Sequence, residues 1–181
     1  EKRQLRAKSL PLFRLSARSG ALSLNSLMEQ KLPSGWSMPL TEYRRVMGSI
    51  ADLLKGVYDK GVVSEVDLAQ VTSQKKDNIL VIIDENVTQV SASEIFTVNS
   101  ATAYILSQIT PMYFDSNLKR AKAFIQAIEL NGYVKPNLDY DKKATAQFLN
   151  DKLNDVSISN GMISAGQKIV SKGELVNEAT F

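Results

Sequence analysis

The 181-residue sequence contains no cysteine and no histidine. Without cysteine it has no disulfides, no thiolate metal ligands and no cysteine nucleophile. Without histidine it lacks the usual general base near neutral pH, and it can form neither a Ser-His-Asp triad nor a histidine-based zinc site. Catalysis would have to depend on carboxylates, lysine, tyrosine or serine. We therefore expect that this chain is not an enzyme and that it holds no metal and no cofactor.

Long apolar runs are also missing. The longest aliphatic run, residues 79–83, has five residues, whereas a membrane helix needs about 20. The apolar fraction of 44% and the charged fraction of 23% are typical of a folded globular domain.

Positive charge is concentrated at the start of the chain. Six cations and one acid lie within residues 1–18, so the rest of the chain is slightly acidic. Because nucleic-acid-binding domains present a basic face and not only a basic end, we expect no nucleic-acid partner.

Hydrophobic periodicity predicts a helix-rich α+β fold. Apolar residues at 3.6-residue spacing predict a long helix over residues 41–60. The aliphatic run at 79–83 predicts a buried strand, which turns at 84–86 and pairs with residues 87–90 as a short β-hairpin. Capping signals and apolar stripes predict further helices over residues 23–32, 64–70 and 101–109, the last of these capped by Thr97 or Asn99 and ended by Pro111. The next helix is capped at Asp115-Ser116, has its apolar stripe over 118–128 and ends at Asn131-Gly132, and a last helix runs from Asp141 to about Val156.

Four glycines indicate turns. Gly61 and Gly132 follow predicted helices, while Gly166 and Gly173 lie in a seven-residue echo, ISAGQ against VSKGE. Their surroundings match neither GxxxxGK[ST] nor GxGxxG, so we interpret them as structural turns and not as phosphate loops. We predict one domain, with a basic lead-in over residues 1–18, a mainly helical body over 19–156 and a small glycine-punctuated β unit over 157–181.

The loop at residues 135–140 is the candidate binding site. Lys135, Asn137 and Tyr140 offer a cation, an amide and a phenol within one loop, a combination that can recognise polar ligands. A plain turn between helices is the alternative. Tyr43, Tyr58 and Phe124 lie on apolar helix stripes, and we assign them to the core.

Two pairs of carboxylates are the candidates for acid–base or metal chemistry. They are Asp84-Glu85 and Asp139 with Asp141. A turn and a helix cap are the alternative interpretations. A carboxylate-dependent enzyme remains a third, less favoured reading of the whole chain.

Four stretches resemble the extracellular domain of seven-transmembrane receptors with an intracellular HD hydrolase, in the version found in Bacteroides-like bacteria. Order and spacing agree over nearly the whole chain, and residues 15–40 depart most from the family pattern. The first stretch is KSLPLFR at 8–14, and the second is LKGVYDKGVV at 54–63. The third combines Phe96-Thr97, Ala101 and Ala103-Tyr104 with VKPNLDYD at 134–141 and Thr145. The fourth is SNGMISAGQKIVSKGELV at 159–176.

This resemblance implies a piece of an integral membrane protein on the periplasmic face of the bacterial inner membrane. In the family, a metal-dependent cytoplasmic HD domain hydrolyses cyclic di-AMP, and the domain outside regulates it. The expected partners are an unknown small molecule or cell-envelope component and the receptor's own transmembrane helices and HD domain. A second copy of the chain, in a homodimer, is a further candidate partner. The alternative is a structural or dimerisation module of the same receptor that binds a cell-envelope protein.

Overall fold

The computed structural model describes residues 9–32, 34–73, 76–113 and 119–159. The chain divides into two compact units, one of residues 11–141 and one of residues 1–10 with 142–181. The β-sheet and both hydrophobic clusters belong to the first unit. The division at residues 18 and 156 that the sequence suggested stays a prediction.

The first unit is built on a mixed sheet of six short strands. Their order across the sheet is β4-β3-β1-β6-β2-β5. β1 pairs in parallel with β3 and antiparallel with β6, while β2 pairs in parallel with β6 and β5. The strands are β1 (Leu12–Leu15), β2 (Val62–Val63), β3 (Asn78–Ile83), β4 (Asn86–Ser91), β5 (Phe96–Thr97) and β6 (Leu138–Tyr140).

Helices account for most of the described secondary structure and, with the sheet, confirm the α+β class. A short 3₁₀ turn, Leu130–Gly132, lies between the fifth helix and β6. Six α-helices are described: α1 (Ala17–Met28), α2 (Leu40–Lys60), α3 (Glu65–Ser73), α4 (Val98–Met112), α5 (Lys119–Ala127) and α6 (Lys142–Ser159).

Helix α2 is the centre of the larger hydrophobic cluster. Its apolar residues recur every three or four positions, so one side of the helix is buried along its whole length. Helices α1, α4 and α5 pack against that side. The long helix and its inward stripe are confirmed, with these residues buried: Tyr43, Val46, Met47, Ile50, Leu54, Val57 and Tyr58.

A smaller cluster lies against the sheet. Phe13 of β1, Val63 of β2 and Leu138 of β6 are fully buried there, next to Ile79 and Val81 of β3. The hairpin of β3 and β4 is confirmed, with Asp84 in the turn at a positive φ of 55°. Full burial of the 79–83 run is wrong. Successive side chains of a strand point to opposite faces, so only alternate residues of β3 are buried.

Several predicted helix boundaries are wrong, including the end of α1, which lies at Met28 and not at residue 32. Helix α1 begins at Ala17 instead of residue 23, because the Ser16 side chain accepts a hydrogen bond from the Ser19 N–H at 3.2 Å and caps it. Helix α4 continues through Pro111 to Met112, because proline lacks only its own N–H donor and removes one hydrogen bond of the helix without ending it. Helix α5 ends at Ala127, before the predicted Asn131-Gly132.

Strands β1, β2 and β6 are missing from the periodicity-based assignment. They have four, two and three residues, which is too short for an alternating pattern to stand out. Thr97, one of the two residues proposed to cap the next helix, does cap α4 in a reciprocal capping box with Ser100.

The described part of the second unit is residues 9 and 10 with helix α6. The predicted stripe on this helix is half-buried at Ala144, Phe148, Leu149 and Leu153, while its other described side chains are mostly exposed. The Lys152 ammonium lies 5.1 Å from the centroid of the Phe148 ring. The predicted β unit at 157–181, with Gly166 and Gly173, and the predicted cap at Asp115-Ser116 lie outside the residues whose structure is described.

Candidate functional site

The three residues proposed from the 135–140 loop have different environments. Lys135 is exposed, Asn137 is 1% exposed and Tyr140 is half-buried with its ring centroid 5.4 Å from that of Phe13. Lys135 and Asn137 lie on the approach to β6, and Tyr140 is the last residue of that strand. Ligand binding by these residues stays a prediction, but Asn137 already has a defined structural role.

Asn137 joins the end of α2 to strand β2. Its side-chain oxygen accepts a hydrogen bond from the Val62 N–H at 2.7 Å, and its side-chain nitrogen donates to the Tyr58 carbonyl at 3.0 Å. Its backbone N–H donates to the Val62 carbonyl, and its backbone carbonyl accepts from the Ser16 N–H. Both ends of the amide are therefore used within the protein, and a ligand would have to displace these bonds to reach them.

Two motifs from the family resemblance meet at this point. The Tyr58 hydroxyl accepts a hydrogen bond from the Lys135 backbone N–H at 3.1 Å. Gly61 ends α2 with a φ of 102°, and a Cβ atom there would lie 3.0 Å from a methyl carbon of Leu138. We call this set of contacts, made by Tyr58, Gly61, Val62, Asn137 and Leu138, the Asn137 junction. It is closed, and the Asn137 side-chain amide is hydrogen-bonded at both its oxygen and its nitrogen.

The other predicted turn glycine within the described chain behaves differently. Gly132 ends the 3₁₀ turn without a positive φ, and a Cβ atom there would meet nothing within 4 Å. The turn is present, but it does not need a glycine. At Gly61, by contrast, both the backbone angle and the close approach of Leu138 exclude a side chain.

The two carboxylate pairs lie in structural positions. Asp84 and Glu85 form the exposed hairpin turn between β3 and β4. Asp141 forms a 3.1 Å ion pair with Arg14 of β1, while Asp139 is exposed on β6. Across the described residues, no three histidine, cysteine, aspartate or glutamate side chains gather closely enough to hold a metal ion.

A cleft of about 350 Å³ lies at one end of the larger cluster, and its walls are aromatic. Trp36 comes from the connection between α1 and α2, Tyr43 from α2, Phe124 from α5, and Tyr133 from the segment after the 3₁₀ turn. The Trp36 and Tyr43 rings both meet the Phe124 ring edge to face, with centroids 5.6 and 5.5 Å apart. We call this site the aromatic cleft.

Polar groups line the rim of the aromatic cleft. Gln30 and Lys31 follow the C-terminus of α1, and Glu129 follows the C-terminus of α5. Lys31 and Glu129 are exposed, and within the described structure neither forms an ion pair. The Tyr43 hydroxyl donates a 2.8 Å hydrogen bond to the Gln30 carbonyl. The site thus combines an apolar floor with one cation, one anion and the two phenols of Tyr43 and Tyr133, a composition typical of small-molecule sites.

Tyr43 is the one residue of the cleft with a clearly shifted pKa. Burial of the phenol raises its pKa, and the neighbouring Tyr133 raises it further by like-charge repulsion. Tyr43 is therefore neutral across the physiological pH range. Its proton is directed to the Gln30 carbonyl, which leaves the oxygen lone pairs as acceptors.

Sequence reasoning missed this cleft because it assigned Tyr43 and Phe124 to the core. Both are indeed buried, yet one side of each ring lines the cleft. Trp36 was the available signal. It is the sole tryptophan of the chain and stands in a Pro-Ser-Gly loop, and loops often carry binding residues. Its half-burial against Phe124 places the loop over the helices.

Comparison with known proteins identifies the family but no individual relative. None of the described helices combines the length and hydropathy of a membrane span. Neither the curated proteins nor the solved structures contain a match to this chain. The family described as 7TM-HD extracellular matches residues 9–181. This match covers almost the entire chain and places it on the extracytoplasmic side of a membrane receptor. The chain therefore belongs to the 7TM-HD extracellular family, the extracellular domain of seven-transmembrane receptors with an HD domain.

Proposed function

We propose that this chain is the ligand-sensing or interaction domain of a membrane-anchored HD-family phosphodiesterase that acts on cyclic di-AMP. The domain itself is non-catalytic and regulates the cytoplasmic hydrolase. The family match supports the receptor context, and the aromatic cleft is the observation that favours sensing over a purely mechanical role. The chain has no histidine, so the histidine ligands of HD chemistry would come from other parts of the receptor.

The proposed mechanism is a shift between conformations. A ligand changes an equilibrium only if it binds one state better than the other. The cleft is made by separate elements, since α2 supplies Tyr43, α5 supplies Phe124 and the α1–α2 connection supplies Trp36. A ligand that fills the cleft holds these elements in one arrangement. That preference is the signal that the receptor would transmit to its hydrolase.

The experiment uses the full-length receptor in lipid vesicles. Cyclic di-AMP hydrolysis is measured with and without cell-envelope metabolites, including muropeptides, nucleotides, sugars, amino acids and divalent ions. A metabolite that changes the rate supports the proposal if Trp36→Ala abolishes its effect and Val66→Ala does not. Val66 is the matched control, because it is an apolar residue that is 72% exposed on α3 and does not line the cleft.

Two results would overturn parts of this proposal. Hydrolysis of cyclic di-AMP by the 181-residue chain alone, with added Mn²⁺, would show that the domain is catalytic. Full-length receptor that responds to no metabolite, although its hydrolase is active, would favour the structural or dimerisation role.

The structural alternative has its own supporting observation. Leu22 and Met28 of α1 are 59% and 53% exposed, so this helix offers apolar surface that a partner could cover. Light scattering on the 181-residue chain separates the two functions. A dimer that persists on dilution favours a dimerisation module, and a monomer favours ligand sensing.

A further inference from the structure

We propose that the aromatic cleft binds a small zwitterion of the α-amino acid class, with its ammonium group at the Glu129 side and its carboxylate at Lys31. This inference rests on the proposed sensing function and names the class of ligand. Three features carry it: the aromatic walls, the two helix ends at the rim, and the opposite charges of Lys31 and Glu129.

The aromatic walls favour a cation. Each aromatic ring has a negative face, and an ammonium group within about 6 Å of a ring centroid is attracted to it. The edge-to-face packing of Trp36 and Tyr43 on Phe124 gathers three such rings around one space. The Tyr43 oxygen can accept a further hydrogen bond, because its own proton is donated to Gln30.

The helix ends add negative potential at the same place. A helix C-terminus carries the equivalent of about half a negative charge, spread over its last carbonyl groups. Residues two or three positions after the C-termini of α1 and α5 line the rim, and within these two described helices the last turn has no basic residue. Glu129 contributes a full negative charge beside the end of α5. An ammonium group is the complement of this side.

Lys31 makes a purely cationic ligand less suitable. Its ammonium group is the one full positive charge among the side chains that line the cleft. A carboxylate on the ligand would pair with it, while the ligand's own ammonium group faces Glu129. Met47 and Ile128 complete the apolar wall, so the ligand side chain should be apolar. A volume of about 350 Å³ is at the lower end of ligand sites and fits an amino acid better than a dinucleotide or a long glycan.

Trp36 makes the test direct, because it is the only tryptophan in the sequence and forms a wall of the cleft. The 181-residue chain is titrated with L-phenylalanine and L-leucine, and with their D forms, while tryptophan fluorescence is recorded. The N-acetyl derivatives, which lack the ammonium group, and the methyl esters, which lack the carboxylate, are titrated in parallel. N-acetylglucosamine is titrated as well, as a representative of uncharged sugar ligands.

The expected result is saturable quenching or a spectral shift with at least one of the free amino acids. Removing either charge from that ligand should weaken binding by about tenfold or more, as expected for a charge-assisted contact. Glu129→Gln should weaken binding of the free amino acid and of its methyl ester. Lys31→Met should weaken binding of the free amino acid but leave the ester unchanged. Glu94→Gln, at an exposed carboxylate outside the cleft, is the matched control and should bind normally.

Other outcomes would overturn the inference. They are no fluorescence response to any amino acid by a folded chain, equal affinity for the N-acetyl derivatives, or a response to N-acetylglucosamine alone. Folding is checked by circular dichroism and calorimetry in each variant. These failures differ from failure of the proposed function, which is judged by whether the full-length receptor's hydrolysis of cyclic di-AMP responds to any metabolite through the cleft.

Discussion

The Asn137 junction and the aromatic cleft lie in the same unit but differ in nearly every physical respect. The junction is closed, and both ends of its central amide are hydrogen-bonded inside the protein. The cleft is open, and two of its charged side chains are exposed. The junction contains residues from two of the four stretches on which the family resemblance is built. The cleft contains residues that look like ordinary core positions in the sequence.

This difference shows why a polar loop is an ambiguous signal. A lysine, an asparagine and a tyrosine in one loop can recognise a ligand, or they can join parts of the backbone. Asn137 does the second, since buried polar groups are nearly always paired within the protein. Aromatic residues are ambiguous in the opposite sense, because Phe124 contributes both to the core and to the wall of the cleft. The predictions below separate stability from binding at each place.

Asn137→Ala should have the largest effect on stability. It leaves the Val62 N–H and the Tyr58 carbonyl without partners in the interior, and each such group costs about 1–3 kcal/mol. We expect the free energy of unfolding to fall by about 2–5 kcal/mol in urea denaturation. Asn131→Ala is the control, since Asn131 is exposed in the 3₁₀ turn and should change stability by less than about 0.5 kcal/mol. Equal stability of the two variants would contradict the structural role of Asn137.

Gly61→Ala should have the next largest effect. The positive φ of 102° strains any residue with a side chain, and the new Cβ atom would press on Leu138 at 3.0 Å. A strained backbone position of this kind costs about 1–3 kcal/mol. Gly56→Ala, inside the same helix with open space around its Cβ position, should instead stabilise the protein by up to about 1 kcal/mol. Thermal unfolding of both variants gives the comparison. If Gly61→Ala left the thermal stability unchanged, it would contradict the claim that the backbone and Leu138 exclude a side chain at this turn.

The elements that sequence reasoning could predict are those with a repeating pattern or a capping signal. Helix α2 repeats its apolar spacing over five turns, and the β3–β4 hairpin pairs a β-branched run with a turn. Strands β1, β2 and β6 carry no such signal, because each is held by hydrogen bonds to strands distant in sequence. The cleft could not be predicted for the same reason, since Trp36, Tyr43 and Tyr133 meet only after the helices pack. Tertiary contact, and not local pattern, defines it.

Tyr43→Phe tests the cleft itself. At neutral pH it should lower the free energy of unfolding by about 0.5–1.5 kcal/mol, because it removes the 2.8 Å hydrogen bond to the Gln30 carbonyl. Burial, and next the nearby Tyr133, raise the Tyr43 pKa in the folded state above its ordinary value of 10.0. The folded state therefore holds this proton more tightly than the unfolded state does. That contribution to stability is complete below pH 10 and is lost as the pH rises through the folded pKa.

Urea denaturation across the alkaline range measures this dependence. The native protein should lose stability above pH 10, and Tyr43→Phe should lose it less steeply. Tyr104→Phe is the control, because Tyr104 is 40% exposed and outside the cleft, and its slope should match that of the native protein. Parallel slopes for the native protein and Tyr43→Phe would contradict a buried, neutral phenol in the cleft.

Lys135→Ala should have the smallest effect on stability, and it separates the two interpretations of the 135–140 loop. Tyr58 accepts its hydrogen bond from the backbone N–H of Lys135, which alanine keeps, and the lysine side chain is exposed. We expect a change of less than about 0.5 kcal/mol, whereas Tyr58→Phe, which removes the acceptor, should cost about 1 kcal/mol. If Lys135→Ala leaves stability unchanged but weakens the response of the full-length receptor to a metabolite, the loop binds a ligand as well as holding the junction. If both are unchanged, the loop is purely structural, and the cleft alone remains as the sensing site.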